Sequence, residues 1–120
     1  MGQRLRVLVA EDELIAGQDL CDTVAEAGYA VEGPFVDLSS AMLAFQKNKP
    51  DIAILGMQLD DGAVFPLAER MMAEDVLVIF HSGRLRPAEV TRRFPNSVAL
   101  SKPSPPAAVI DTIQRAKGNA

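Results

Sequence analysis

A chain of 120 residues is long enough to bury one good core and too short for two domains of ordinary size. Its net charge of -4 and isoelectric point of about 4.9 argue against nucleic acid as a direct partner, because phosphate binding needs a basic surface. The single cysteine, Cys21, rules out an internal disulfide and fits a reducing, cytoplasmic setting.

No apolar run approaches the ~20 residues of a membrane span, and the N-terminus leads almost at once into a strand, so neither anchor nor signal peptide is expected. Arg4 to Ala10 begins with alternation and ends in a solid apolar run, the mark of a strand that becomes fully buried. The acids Glu11, Asp12 and Glu13 follow directly, and a helix starts there with Ala16, Leu20, Val24 and Ala27 as its inner stripe. Cys21 sits beside that stripe as a core residue, and Gly28 stops the helix. Tyr29 to Gly33 reads as a short second strand limited by Pro34. Asp37 is the expected N-cap of a second helix in which Leu38, Met42 and Phe45 share a face.

Asp51 to Leu55 holds four consecutive apolar residues after Pro50, as suits a central parallel strand covered on both faces. It runs into a turn, Gly56 to Gly62, that contains Asp60 and Asp61. Val64, Leu67, Ala68 and Met71 stripe a third helix, with Pro66 tolerated in its first turn. Val76 to Phe80 is another unbroken strand ending at His81 and Ser82, and a short, poorly patterned helix is expected over Pro87 to Arg93. Ser97 to Leu100 is the fifth strand, and Val109, Ile113 and Ala116 stripe the last helix, beyond which the tail frays.

Five strand–helix alternations predict an α/β fold, a parallel sheet with helices on both faces and right-handed crossovers. Parallel strands point their carboxyl ends the same way, so Glu11, Asp12, Gly56, Ser82 and Lys102 should converge on one rim, where open α/β sheets keep their chemistry. Paired carboxylates with an oxygen from a third strand suit Mg²⁺. A lysine and a hydroxyl opposite suit a phosphoryl group.

The motifs Val7 to Glu13 (VLVAEDE), Pro50 to Gly62 (PDIAILGMQLDDG), Ser82-Gly83 and Ser101-Lys102-Pro103, in this order on a five-fold βα pattern, resemble the receiver domains of bacterial two-component response regulators. The likeness covers nearly the whole chain and is strongest to short stand-alone receivers, which implies one receiver domain over residues 1–120 and no effector domain. It implies a (βα)5 flavodoxin-like fold with five parallel strands in the order 2-1-3-4-5. It implies that Glu11 and Asp12 hold Mg²⁺ with a backbone carbonyl from Gln58, and that Ser82 and Lys102 contact a phosphoryl group. The implied partners are a histidine kinase or phosphotransfer protein and other signalling proteins. A homodimer through the fourth helix, fifth strand and fifth helix is also within the family's habit.

Three positions depart from the family pattern. The phosphoaccepting aspartate would stand at position 56, where this chain has Gly56; an acyl phosphate needs a carboxylate nucleophile, so none can form there. Asp60 stands where proline is frequent, and Ala99 stands where many receivers carry an aromatic switch residue. Gly56 is either natural, which makes the chain a pseudo-receiver, or an Asp-to-Gly change in an otherwise ordinary receiver. Loss of one carboxylate should leave Mg²⁺ weakly held or absent.

Plainer readings stand beside each of these residues. Asp12 could be a helix N-cap with Glu13 favouring the helix dipole, Ser82 could cap the turn with Gly83, and Lys102, lacking a carboxylate at 56, should pair with Asp12 or water. Pro103 follows Lys102 at a step where receivers often have a cis bond. His81 reads as a packed or solvent-edge residue rather than a phosphohistidine or metal ligand, and Asp60 and Asp61 as turn residues rather than substitute acceptors. Arg84, Arg86, Arg92 and Arg93 make a basic segment that is either a solvated face or a surface for an acidic protein. Two rival functions are a phosphoaccepting receiver with aspartate at 56 and another flavodoxin-like domain binding flavin or a small molecule. Glu11-Asp12-Glu13, in place of a glycine-rich loop, would repel a flavin phosphate. A serine hydrolase lacks its nucleophile elbow. The expected role is therefore signalling by protein contact, not enzymatic.

Overall fold

The computed structural model describes residues 4–82, 90, 92–102 and 104–118, the side chain of Ser82 excepted. Four longer strands and a shorter one build the sheet: β1 (Arg6–Ala10), β2 (Ala30–Phe35), β3 (Ile52–Gly56), β6 (Leu77–Ser82) and β7 (Val98–Ser101). Between β3 and the next helix, β4 (Gln58–Leu59) and β5 (Gly62–Ala63) form a separate two-stranded antiparallel ribbon. The helices are α1 (Leu14–Glu26), α2 (Leu38–Lys47), α3 (Phe65–Ala73) and α4 (Pro106–Gly118).

The sheet order is β2-β1-β3-β6-β7, with every pairing parallel. Setting the small ribbon aside, this is the expected 2-1-3-4-5. Residues of a strand alternate between faces, and each face has its own core. Val7, Val9, Ile52, Ile54 and Ile79 meet Leu20, Cys21 and Val24 of α1 and Val109 and Ile113 of α4. Leu8, Ala53, Leu55, Val78 and Phe80 meet Ala41 and Phe45 of α2 and Leu67, Ala68 and Met71 of α3. A strand buried on both faces cannot alternate apolar with polar residues, which is why β1 and β3 read as continuous apolar runs.

Several boundaries differ from the expected ones. The buried face of α1 is Gly17, Leu20, Cys21 and Val24. Ala27 is exposed, because the helix has already ended, with Ala27 at the C-cap and Gly28 at φ 101°. Glu13, not Asp12, is the N-cap residue, and it makes no side-chain capping bond. Strand β2 continues through Pro34 to Phe35. As an edge strand it tolerates a residue that cannot donate, and the β1–β2 register shifts between Leu8 and Ala10. Gly17 lies under Pro34, where a Cβ would come within 2.7 Å of the proline Cβ. The close approach of α1 to the β2 edge therefore depends on that glycine. The expected short helix over Pro87 to Arg93 lies mostly outside the described residues.

Asp37 caps α2 as expected, accepting from Ser40 N at 3.4 Å. A second cap comes from the ribbon. Asp61 accepts from Leu38 N at 2.5 Å, Ser39 N at 3.3 Å and Ser39 Oγ at 3.2 Å. These bonds, the backbone amide of Leu38 first, hold its carboxyl below the usual range. Asp61 is thus a turn residue with a structural task, tying the segment after β3 to the start of α2. Asp61→Ala should destabilise the fold by loss of a cap, read as a lower midpoint in urea unfolding with an unchanged slope. An unchanged midpoint would mean that Asp37 alone caps the helix.

Candidate functional site

The register of the central strands aligns the candidate residues. Ala10 pairs with Leu55, so Glu11, one residue on, comes level with Gly56. Gly56 pairs with His81, and His81 with Leu100. Three strands therefore place Glu11, Gly56 and His81 in one row at the carboxyl rim, with Lys102 two residues beyond the end of that row. Ser82 pairs with Ser101 along the backbone. Its proposed phosphoryl contact concerns a side chain outside the described residues, as does Gly83, and the state of the Lys102–Pro103 bond falls outside them too.

Glu11 is 1% exposed, the only acidic residue in the core among those described. Its backbone N–H donates to Phe35 O at 2.9 Å. Its carboxylate turns inward and lies on Gly56. A Cβ built on Gly56 would stand 3.1 Å from Oε2 and 3.3 Å from the carboxyl carbon. Lys102 Nζ donates to Oε1 at 3.1 Å and lies 3.0 Å from Oε2. It also reaches Glu13 Oε1 at 3.3 Å. Lys102 is thus paired with Glu11 and Glu13, where the missing carboxylate at 56 had suggested Asp12 or water. The reason is the gap over Gly56, which lets Glu11 fold in where the lysine can reach both its oxygens.

His81 is the site residue that the sequence hid. It is 4% exposed, and its Nδ1 lies 3.4 Å from Glu11 Oε2. Burial by itself would push the Glu11 carboxyl up. Hydrogen bonds from His81, Asp12 and Lys102, with the lysine charge, outweigh this and hold it down at about 2. An ionised carboxylate only accepts, so His81 carries its proton on Nδ1. Nε2 is buried and has no partner among the described residues. The one available signal was positional: His81 closes an unbroken apolar strand whose register sets it beside Gly56.

Asp12 and Glu13 are exposed. Burial, then the hydrogen bond and charge of Glu11, push the Asp12 carboxyl up. Glu11, Asp12 and Glu13 can each present an oxygen within 4.8 Å of the others, a donor set of the hard kind that Mg²⁺ prefers. The ammonium of Lys102 already neutralises the most buried of the three, however. As arranged, these residues do not fit the ion. Gln58 is exposed in the ribbon, two residues past Gly56, and its side chain donates to Leu59 O at 3.4 Å. On the α1 side a cavity of ≈ 450 Å³, lined by Glu13, Ala16, Asp19, Leu20, His81, Lys102 and Ser104, opens beside the pair.

No protein-family model matches the chain. Among solved structures it resembles the chemotaxis response regulator CheY4 of Vibrio cholerae, with a TM-score of 0.82 and 23% identity over 95% of this chain and 99% of that one. The non-phosphorylated receiver domain of HemR from Leptospira biflexa gives a TM-score of 0.81 at 24% identity, covering 94% of each chain. The chain has the receiver fold. In sequence it is 32% identical over 83 residues to the transcriptional regulatory protein PdtaR of Mycobacterium tuberculosis, a match covering 66% of this chain and 40% of that protein. The chain thus spans well under half the length of the curated relative it matches.

Ala99, in the place of the aromatic switch, is partly buried and pairs with Phe80. Phe80 instead packs on Phe94 and Phe65, with ring centroids 5.2 and 6.2 Å away. Of the basic segment, Arg84 and Arg86 lie outside the described residues. Arg92 and Arg93 are exposed, and the Arg93 guanidinium lies 4.2 Å above the Phe65 ring. Among the described residues, the large apolar side chains left exposed are elsewhere, Leu14 and Ile15 in the first turn of α1 and Leu43 on α2.

Proposed function

We propose that the chain is the receiver module of a two-component response regulator whose phosphoacceptor position is empty, and that it signals by protein contact. The observation that carries this reading is the pairing of Glu11 with Lys102 on the rim of a receiver-type sheet, directly over a residue 56 that has no side chain. Glu11 is no replacement nucleophile: its oxygens are buried, shared with an ammonium and held at low pKa, so its lone pairs are already committed. Ser82 and Lys102 are the residues that would face a phosphoryl group. Glu11, Asp12 and the Gln58 carbonyl are the residues that the family pattern would turn to Mg²⁺, a role closed to them while Lys102 is paired with Glu11.

The module acts as a single receiver domain rather than a catalyst, in the cytoplasm. Among the described residues no helix is long and apolar enough to cross a membrane. Its partners are a histidine kinase or phosphotransfer protein and other signalling proteins. Leu14 at 61% and Ile15 at 81% exposure, beside the site, offer an apolar contact for one of them; the Arg92–Arg93 side offers a basic one, where a homodimer is an alternative occupant.

Incubation with acetyl phosphate and Mg²⁺, followed by intact mass, tests the reading. The native chain should gain nothing, and Gly56→Asp should gain one labile phosphoryl group. A labile phosphoryl group on the native chain would overturn it.

A further inference from the structure

Receiver sites need a cation near their carboxylates, and in this chain that cation is built in. We infer that Lys102 and Glu11 form an internal plug: the glutamate fills the space left by the absent side chain at position 56, and the lysine takes the place of a divalent ion. Glu11 then acts as a positioning residue for Lys102, and the plug excludes both a side chain at 56 and a bound divalent ion.

Three observations meet in this inference. The carboxylate of Glu11 lies so close over Gly56 that even a methyl group there would stand 3.1 Å from Oε2. The contact cannot relax freely, because both carboxylate oxygens are held by Lys102 and Oε2 is also near His81 Nδ1. Glu13 steadies the ammonium from the solvent side at 3.3 Å, so Lys102 holds two of the three carboxylates that could face an ion. An ion entering beside Glu11 would meet the lysine's like charge at a distance at which unit charges repel strongly outside bulk water. Asp12 alone, exposed and sharing hydrogen-bond interaction with Glu11, is a poor remaining ligand set. Nothing in the pattern of residues announced this, since Glu11 and Lys102 are ninety-one positions apart.

The inference rests on the receiver reading only for the expectation that a cation belongs at this rim. The test is a magnetic resonance titration of the native chain, Lys102→Met and Gly56→Ala with MgCl₂, repeated with MnCl₂ as a broadening probe. The native chain should show no saturating shift at Glu11, Asp12 or Gly56 up to about 10 mM Mg²⁺. Lys102→Met should bind at least about tenfold more tightly, because the repelling charge is gone and Glu11 needs a partner. If Lys102→Met does not fold, Gly56→Ala decides: its methyl group should shift the Glu11 carboxyl carbon and bring Mg²⁺ binding into the millimolar range. Saturable millimolar binding by the native chain, equal affinity in native and Lys102→Met, or an unmoved Glu11 carboxyl in Gly56→Ala would each overturn the plug. Phosphoryl uptake by the native chain would sink the receiver reading while leaving the plug standing, and native Mg²⁺ binding without uptake would do the reverse.

Discussion

Lys102→Met should destabilise the fold by about 3 kcal/mol, at the lower end of what removing one partner of a buried ion pair costs. The charge left behind is the reason. Glu11 is 1% exposed, while Lys102 is 25% exposed, so the mutation strands a buried carboxylate without its counter-ion. Equilibrium unfolding in urea at neutral pH measures the loss. A double-mutant cycle with Glu11→Leu separates the pair from its desolvation: the double variant should be more stable than Lys102→Met alone, since both charges leave together.

The same variant should change how stability depends on pH. In the native chain the folded Glu11 pKa of about 2 lies below its ordinary 4.5. The unfolded chain therefore binds more protons between those values, and stability rises with pH across that window. The contribution is complete above pH 4.5 and disappears as pH falls through about 2. Without Lys102, burial of Glu11 is less well opposed, its pKa moves up, and the rise across the window flattens. A native-like slope in Lys102→Met would show that His81 and Asp12 hold the carboxylate without the lysine.

Phe80→Ala should cost about 3 to 5 kcal/mol, the range for emptying a buried aromatic site. Phe80 is 1% exposed, sits in an interior strand of the sheet and packs against the rings of Phe94 and Phe65, which stack on each other. Its partner across β7 is Ala99, too small to close the cavity. Phe80→Leu keeps most of the volume and should cost under about 1.5 kcal/mol. Thermal and urea denaturation of the two variants would check the contrast. Equal losses would mean that ring packing, not volume, sets the stability of this region.

The elements came through in local patterns because local physics makes them. Val64, Leu67, Ala68 and Met71 recur at helical spacing and are all buried. Val109, Ile113 and Ala116 do the same in α4. The unbroken apolar run ending at Leu55 could only be a strand covered on both faces, and Gly28 had the freedom to end α1 at positive φ. From these followed the alternation, the parallel sheet and the rim. Where a boundary slipped, as at Pro34, a tertiary circumstance decided it: β2 lies at an edge, where a missing donor costs little.

The amino-acid order, then, was enough for the succession of strands and helices, the shared rim of Glu11, Gly56 and Lys102, and the absence of a nucleophile at position 56. It could not tell that Glu11 turns inward while Asp12 and Glu13 stay in water, that Lys102 closes on Glu11, that His81 joins them, or that Asp61 caps a helix earlier in the chain. Each of these depends on register between segments far apart in sequence and on the empty volume over one glycine. Periodicity carries no record of either, because it reports which way a side chain faces and not what it finds there.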